Sequence, residues 1–417
     1  MYETIFYIII AIIIFEFIFS RTLDKLNSSW RNKKLPLELE DIYDAEKYLK
    51  SQEYGSVNSK FALFSSSFQL ILILIMLFLG GFAYFDNIAA QYSENPVIIS
   101  LLFFGILFLL SDILNIPFDI YSTFVIEEKF GFNKTTVKTF ILDKIKSLLL
   151  TILIGGLILA IIVWFYYETT DMFWIYAWIL ISVFSIFIAM FYSNLIVPLF
   201  NKQTPLEEGE LKDAINKFSQ KAGFKVENIF VIDGSKRSSK ANAYFTGLGK
   251  KKRIVLYDTL INDLKTNEIV AVLAHEIGHY KLKHTLYSMI FSILQTGIIF
   301  FILSLFIDNI NLSKALGSDK VTFELGIIAF GILFSPISTI IGFAMNIFSR
   351  KNEYQADKFA ADYEMGNNLI SALKKLSANS LSNLTPHPAY IFVYYSHPSL
   401  YQRILSIKSN SLNSTIN

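Results

Sequence analysis

Long apolar runs separated by polar loops set the first expectation. A membrane-crossing helix needs roughly 20 mostly apolar residues. Seven stretches fit: 3–20, 62–85, 97–115, 147–167, 173–196, 286–307 and 323–347. The first, YETIFYIIIAIIIFEFIFS, lacks a basic flank and a small-residue cleavage site, so it is expected to stay as a span. Loop 21–61 carries Arg21, Lys25, Arg31, Lys33, Lys34, Lys47, Lys50 and Lys60, and loop 116–146 carries Lys129, Lys134, Lys138, Lys144 and Lys146. Loops 86–96 and 168–172 carry no Lys or Arg. Short cytosolic loops are enriched in Lys and Arg. That rule puts the N-terminus outside and loops 21–61, 116–146 and 197–285 in the cytosol, together with the C-terminal segment.

The chain then divides into four parts. Residues 1–196 hold helices one to five, and 197–285 form a cytosolic segment. Residues 286–347 hold helices six and seven, and 348–417 form a second cytosolic segment. Chemistry is expected where the two cytosolic segments meet, at the membrane surface.

Composition narrows the choice. Charged residues are 17% and apolar residues 53%, with mean hydropathy +0.45. Soluble domains hold about 25% charged residues. Disorder is excluded by the apolar content. Net charge is only +2, so no nucleic-acid partner is expected. Cysteine is absent. A metal site must therefore draw on carboxylates and the five His. The Ile/Lys/Asn-rich, Cys-free composition suggests a bacterium. It predicts a multi-pass protein of a bacterial inner membrane, or of the endoplasmic-reticulum membrane in a eukaryote.

Residues 271–280 read AVLAHEIGHY and contain His275-Glu276-Ile277-Gly278-His279, an H-E-x-x-H pattern. On a helix, positions i and i+4 share a face, so both imidazoles can bind one Zn²⁺. Glu276 can take a proton from the attacking water and later give it to the leaving amine. Gly278 inside a helix costs about 1 kcal/mol relative to Ala, which implies close approach of a backbone or of substrate. Chance alone gives roughly 0.005 copies of the pattern in this composition. A catalytic zinc needs a third protein ligand and an open position. Glu353 in NEYQAD, 352–357, could supply the ligand. Asp357, one turn on, could accept the second ring N–H of a ligand His. Alone, that pair reads as a solvated helix face beside Arg350, Lys351 and Lys358. The run Ala243-Tyr244-Phe245-Thr246 is strand-like.

With these motifs the chain resembles the integral-membrane zinc CAAX prenyl proteases of the Ste24 type, in the M48 peptidases. The resemblance rests on TFVIEEKFGFNKTT at 123–136, VPLFNKQTPLEEGELKDAI at 197–215, and GSKRSSKANAYFTGLGKKKRIVLYDTL at 234–260. AHEIGHY at 274–280, NEYQADKFA at 352–360 and YSHPSLYQRI at 395–404 extend it over nearly the whole chain.

The resemblance implies an all-α polytopic membrane protein. About seven transmembrane helices would enclose a chamber, capped by a cytosolic gluzincin-like α+β zinc domain. It implies one Zn²⁺ per chain on His275, His279 and Glu353, with Glu276 as general base and acid and Asp357 behind a ligand His. Asn242, Ala243 and Tyr244 would present an edge to the substrate backbone. His397 would stabilise the oxyanion, and Arg403 would support it or contact substrate.

The implied substrate is a peptide or protein, prenylated near its C-terminus in the family, met in a setting of membrane lipid. Ser238-Ser239-Lys240-Ala241 departs from the pattern where a His is usual, which leaves fine substrate preference open. His284, five residues after His279, is expected at the membrane surface, and His387 has no evident role. Glu127 and Glu128 are expected as interface or chamber-mouth charges. Two competing readings remain: a quality-control protease acting on unprenylated membrane proteins, and a transporter with a metal sensor. For the latter, Asp112, Pro117 and Pro336 are the candidate features near or within spans.

Overall fold

A computed structural model describes residues 1–31, 33–224, 228–246 and 253–416. Residues 247–252 of the quoted GLGKKK run lie outside it. Six stretches are long and apolar enough to cross a membrane: Tyr2–Ser29, Ala45–Phe78, Pro96–Phe130, Val137–Phe200, His284–Phe306 and Phe323–Asp362. The fourth has 64 residues. As one rod it would measure about 96 Å, some three times the apolar thickness of a bilayer. Instead it folds back at Thr170, whose φ is +45°. The Phe165 ring before the turn meets the Tyr176 ring after it at 5.4 Å. Seven expected spans thus correspond to six apolar stretches, one of them doubled.

The helices are α1 (Tyr2–Ser29), α2 (Ala45–Phe78), α3 (Gly81–Tyr92), α4 (Pro96–Tyr121), α5 (Val137–Leu150), α6 (Gly156–Thr169) and α7 (Phe173–Leu195). The expected span 62–85 is corrected. The helix stops at Phe78 because Gly80 turns left-handed, φ +63°, and residues 81–92 form the separate α3. Caps explain other starts: Asp44 accepts from Lys47 N–H, Asn95 precedes Pro96, and Thr136 accepts from Thr139 N–H.

A four-stranded sheet follows, with β1 (Gln203–Pro205), β2 (Ile229–Ile232), β3 (Ala243–Thr246) and β4 (Arg253–Tyr257) in the order β1-β2-β4-β3. β2 and β4 are parallel, and β3 runs antiparallel to β4 as an edge strand. Around the sheet lie α8 (Glu210–Lys221), α9 (Thr266–Lys281), α10 (His284–Phe306), α11 (Phe323–Asp362), α12 (Gly366–Asn379), α13 (Pro388–Tyr394) and α14 (Leu400–Ile416). Ile215, Leu256, Leu260, Leu273, Ala360 and Ile404 form the buried core of this end.

Polar latches tie that end to the membrane helices. Tyr43 Oη donates to the Ser377 and Ser382 carbonyls at 2.9 and 3.1 Å. Arg237 pairs with both oxygens of Asp143 at 2.7 and 2.8 Å. Glu127 accepts from Tyr54 at 2.6 Å and from Lys240 at 2.8 Å, so it is a latch and not a free interface charge. The latches bring 35–60, 128–146, 200–284 and 350–410 to one end of the bundle.

Ionisable groups in the apolar stretches extend beyond Asp112. Glu16 accepts from Ser335 Oγ, and buried Glu324 accepts from Ser100. Asp112 itself pairs with Lys144 at 2.9 Å.

Candidate active site

α9 places His275 and His279 one turn apart, and α11 brings Glu353 beside them. The helices touch at Gly278, where an added Cβ would lie 3.1 Å from Phe359 Cβ and 3.2 Å from Ala356 Cα. Gly278 therefore admits the α11 backbone, one of the two approaches its position implied. Glu268 caps α9 by accepting from Lys265 N–H at 2.8 Å. Burial opposes its charge, yet Lys375 at 2.7 Å, Ser371 at 2.6 Å and that N–H hold its carboxyl below the usual range.

His275 Nε2 and His279 Nε2 are 3.1 Å apart. Glu353 Oε1 lies 3.2 Å from His279 Nε2, and Glu353 Oε2 lies 3.5 Å from His275 Nε2. Ligand atoms of the three residues all fall within 4.8 Å of one another. Glu353 is buried, and its Oε2 has no aligned hydrogen bond, although His397 Nδ1 is 2.8 Å away. Two imidazole nitrogens and a buried carboxylate converging within 4.8 Å fit a metal ion.

Behind this cluster, Asp357 Oδ1 lies 2.9 Å from His275 Nδ1. Asp357 is fully buried and held by Arg403 through Nε at 2.9 Å and Nη2 at 2.6 Å. Arg403, expected to support His397 or contact substrate, grips Asp357 and also lies 3.6 Å from Glu353 Oε2, the oxygen that His397 meets. Burial would lower its pKa, but that partner keeps it above its ordinary value.

His284 also differs from expectation. It is buried, not at the membrane surface. α9 ends at Lys281, Lys283 takes a left-handed φ of +60°, and the chain doubles back. His284 Nδ1 then meets His279 Nδ1 at 3.0 Å, and its Nε2 meets Gln355 Oε1 at 2.9 Å. Sequence reasoning missed both His284 and Gln355. His387 proves to be a cap: its Nδ1 accepts from Ala389 N–H at 3.1 Å, and its ring meets Trp30.

Glu276 is half-buried and has no hydrogen bond or ion pair among the described residues. Its charge raises the pKa of His397 and Arg403. The largest upward influence on His397 is its contact with Glu353. The His397 side chain is 62% exposed and lines a cavity of about 680 Å³.

On the edge strand, Tyr257 N–H donates to Asn242 O at 3.1 Å, so antiparallel alternation turns the Ala243 and Phe245 backbone groups outward. The exposed Asn242 side chain accepts from Ala243 N–H at 2.8 Å. Tyr244 packs beneath the sheet against Val197 and Val255, and its backbone groups face β4.

Residues 25–202 match the family model described as CAAX prenyl protease N-terminal, five membrane helices, and 205–411 match peptidase family M48. CAAX prenyl protease 1 of Saccharomyces cerevisiae is 39% identical over 90% of this chain and 88% of its own length. The Arabidopsis thaliana homolog is 36% identical over 96% of each. The crystal structure of S. mikatae Ste24p superposes with a TM-score of 0.90 at 38% identity, covering 97% of this chain and 98% of that one.

Proposed function

From the premise that this chain belongs to the CAAX prenyl proteases of peptidase family M48, we propose that it is a membrane-embedded zinc endopeptidase that cuts near the C-terminus of CAAX-type substrates. The observation that carries the reading is the convergence of His275, His279 and Glu353 on one point. The His/carboxylate donor set suits Zn²⁺. When bound, zinc would polarise the scissile carbonyl and acidify water.

The chain's own groups do the rest. Glu276, free of partners, takes the proton of the attacking water. The water oxygen joins the carbonyl carbon and the C–N bond breaks. Glu276 then delivers its proton to the leaving amine. His397, held in its donor form by Glu353, donates to the developing oxyanion. Asp357 and Arg403 fix His275. The β3 edge offers the Ala243 carbonyl and the Phe245 main-chain groups to an extended peptide, with Asn242 at its start. The lysine- and arginine-bearing loops gather at the sheet end, so the site faces the cytosol.

The test is mass spectrometry of a farnesylated CAAX peptide incubated with zinc-loaded protein in detergent, with Glu276→Gln as control. A product three residues shorter is expected from the native chain, while the variant keeps its zinc and yields none. No cleavage at one zinc per chain would reject the CAAX assignment. Turnover by the variant would reject Glu276 as base.

A further inference from the structure

The 680 Å³ cavity that exposes His397 falls within the size of small-ligand sites. One part of its wall is the active-site loop, Ser396 to Ser399. Another is the end of α1 with the polar face of α2, including Arg31, Tyr54, Asn58 and Ser59. Nothing in the hydrolytic machinery uses that second wall.

Arg31 is its unusual member. The side chain is half-buried, and burial works against its charge. A guanidinium in such a place normally pairs with a carboxylate. Here Nη2 donates to Ser59 Oγ at 2.6 Å, and no carboxylate lies in contact among the described residues. Asp24, the acid on the same wall, is bridged by Arg21 at 2.8 Å and is within electrostatic range of Arg31, so two cations share one carboxylate. One positive charge is thus left facing the cavity.

The site is also built around that side chain. Gly55 sits inside α2 opposite the guanidinium, and an added Cβ would lie 3.1 Å from Arg31 Nε. Tyr48 Oη donates to the Arg31 carbonyl at 3.0 Å and fixes its backbone. A glycine in a helix interior costs about 1 kcal/mol relative to Ala. Here it leaves the planar fork in place.

A planar fork with free donors recognises a carboxylate in two-pronged fashion. A substrate cut a few residues from its end carries one such group at a fixed distance from the scissile bond. Three extended residues reach roughly 10 Å. We propose that Arg31 binds the C-terminal carboxylate of the substrate, in the cavity that His397 also lines. This rests on the reading above. It makes the enzyme measure from the chain end, so that the cut falls near the C-terminus. A headgroup carboxylate or phosphate of an anionic lipid is the rival occupant.

The experiment compares one prenylated peptide with a free C-terminal acid and the same peptide as its C-terminal amide. Both are presented in neutral detergent and in detergent supplemented with anionic phospholipid. The native chain is expected to turn over the acid about 10–100-fold more efficiently, the range of a charge-assisted hydrogen bond. In Arg31→Gln the ratio should fall to within about 2-fold, and Arg31→Lys should keep part of it. Zinc content of each variant, measured alongside, excludes loss of fold.

Equilibrium binding of the two peptides to Glu276→Gln, with and without Arg31→Gln, reads the same ratio without catalysis. If neither peptide is cut yet the acid binds better only with Arg31, the inference stands and the protease reading falls. An acid-to-amide ratio near one, or a ratio unchanged in Arg31→Gln, overturns the inference. A ratio abolished by anionic lipid assigns Arg31 to the lipid and also overturns it.

Discussion

His284 and Asp357 hold the two helical histidines by different means. Asp357 presents a buried charge to His275, balanced by Arg403. His284 presents a neutral acceptor to His279 and passes its own Nε2–H to Gln355. Only one proton arrangement serves that chain. His279 keeps Nε2 free for a metal and donates from Nδ1. Partners of this kind are worth about 10–100-fold in metal affinity. His284→Leu should therefore speed loss of metal to a chelator by roughly that factor and shift the visible spectrum of the cobalt-substituted protein. His284→Asn, whose Oδ1 can accept from the same N–H, should restore most of it. An unchanged off-rate in the Leu variant would end this role. The spacing of His275, Glu276 and His279 was legible because helical geometry alone sets it, and Glu353 with Asp357 followed the same rule. His284 was not, because i+5 on a continuous helix points elsewhere. The reversal at Lys283 uses neither Gly nor Pro.

The α9–α11 pair sets the ligand geometry, and both its cap and its contact point can be tested. Gly278→Ala returns up to about 1 kcal/mol of helix propensity. Overpacking costs about 1–3 kcal/mol, so net destabilisation of roughly 0–2 kcal/mol is expected. The larger effect should be on metal affinity, because separating the helices moves Glu353 away from both His. Titration with a competing chelator reads this, and affinity equal to the native chain would refute it. Glu268 offers a pH test. Its folded pKa is lowered, so its contribution is present above the usual Glu range and fades as pH falls through the folded value. Thermal melts from neutral to acid pH should show a shallower loss in Glu268→Gln than in the native chain, with lower stability at pH 7. Parallel curves would disprove the linkage. Among the elements, hydropathy marked the apolar stretches but could not place breaks made by one residue's backbone. Gly80 ends α2 early, and Thr170 doubles the longest stretch.

For the whole molecule, the question is how a sheet reached late in the chain sits on helices laid down before it. Arg237 answers it by clasping Asp143 and the Phe200 carbonyl, at 2.8 Å for the latter. Arg237→Ala should loosen that seat: protease nicking within 200–260 should speed up and kcat/KM should fall, with zinc retained. Equal nicking rates would show the latch to be dispensable. Such long-range pairing has no local signature, because Arg237 and Asp143 stand 94 residues apart in the chain. One further property follows from α11, a helix of 40 residues that extends about 60 Å. Its far end anchors at Glu324 to Ser100, and its near end carries Glu353. A continuous helix anchored at one end and bearing Glu353 at the other transmits tilt, with Pro336 in its interior as the point where it can bend. Thicker or thinner bilayers reset that tilt, so the lipid around the protein becomes a tuning screw on the position of Glu353, the carboxylate proposed to hold the metal.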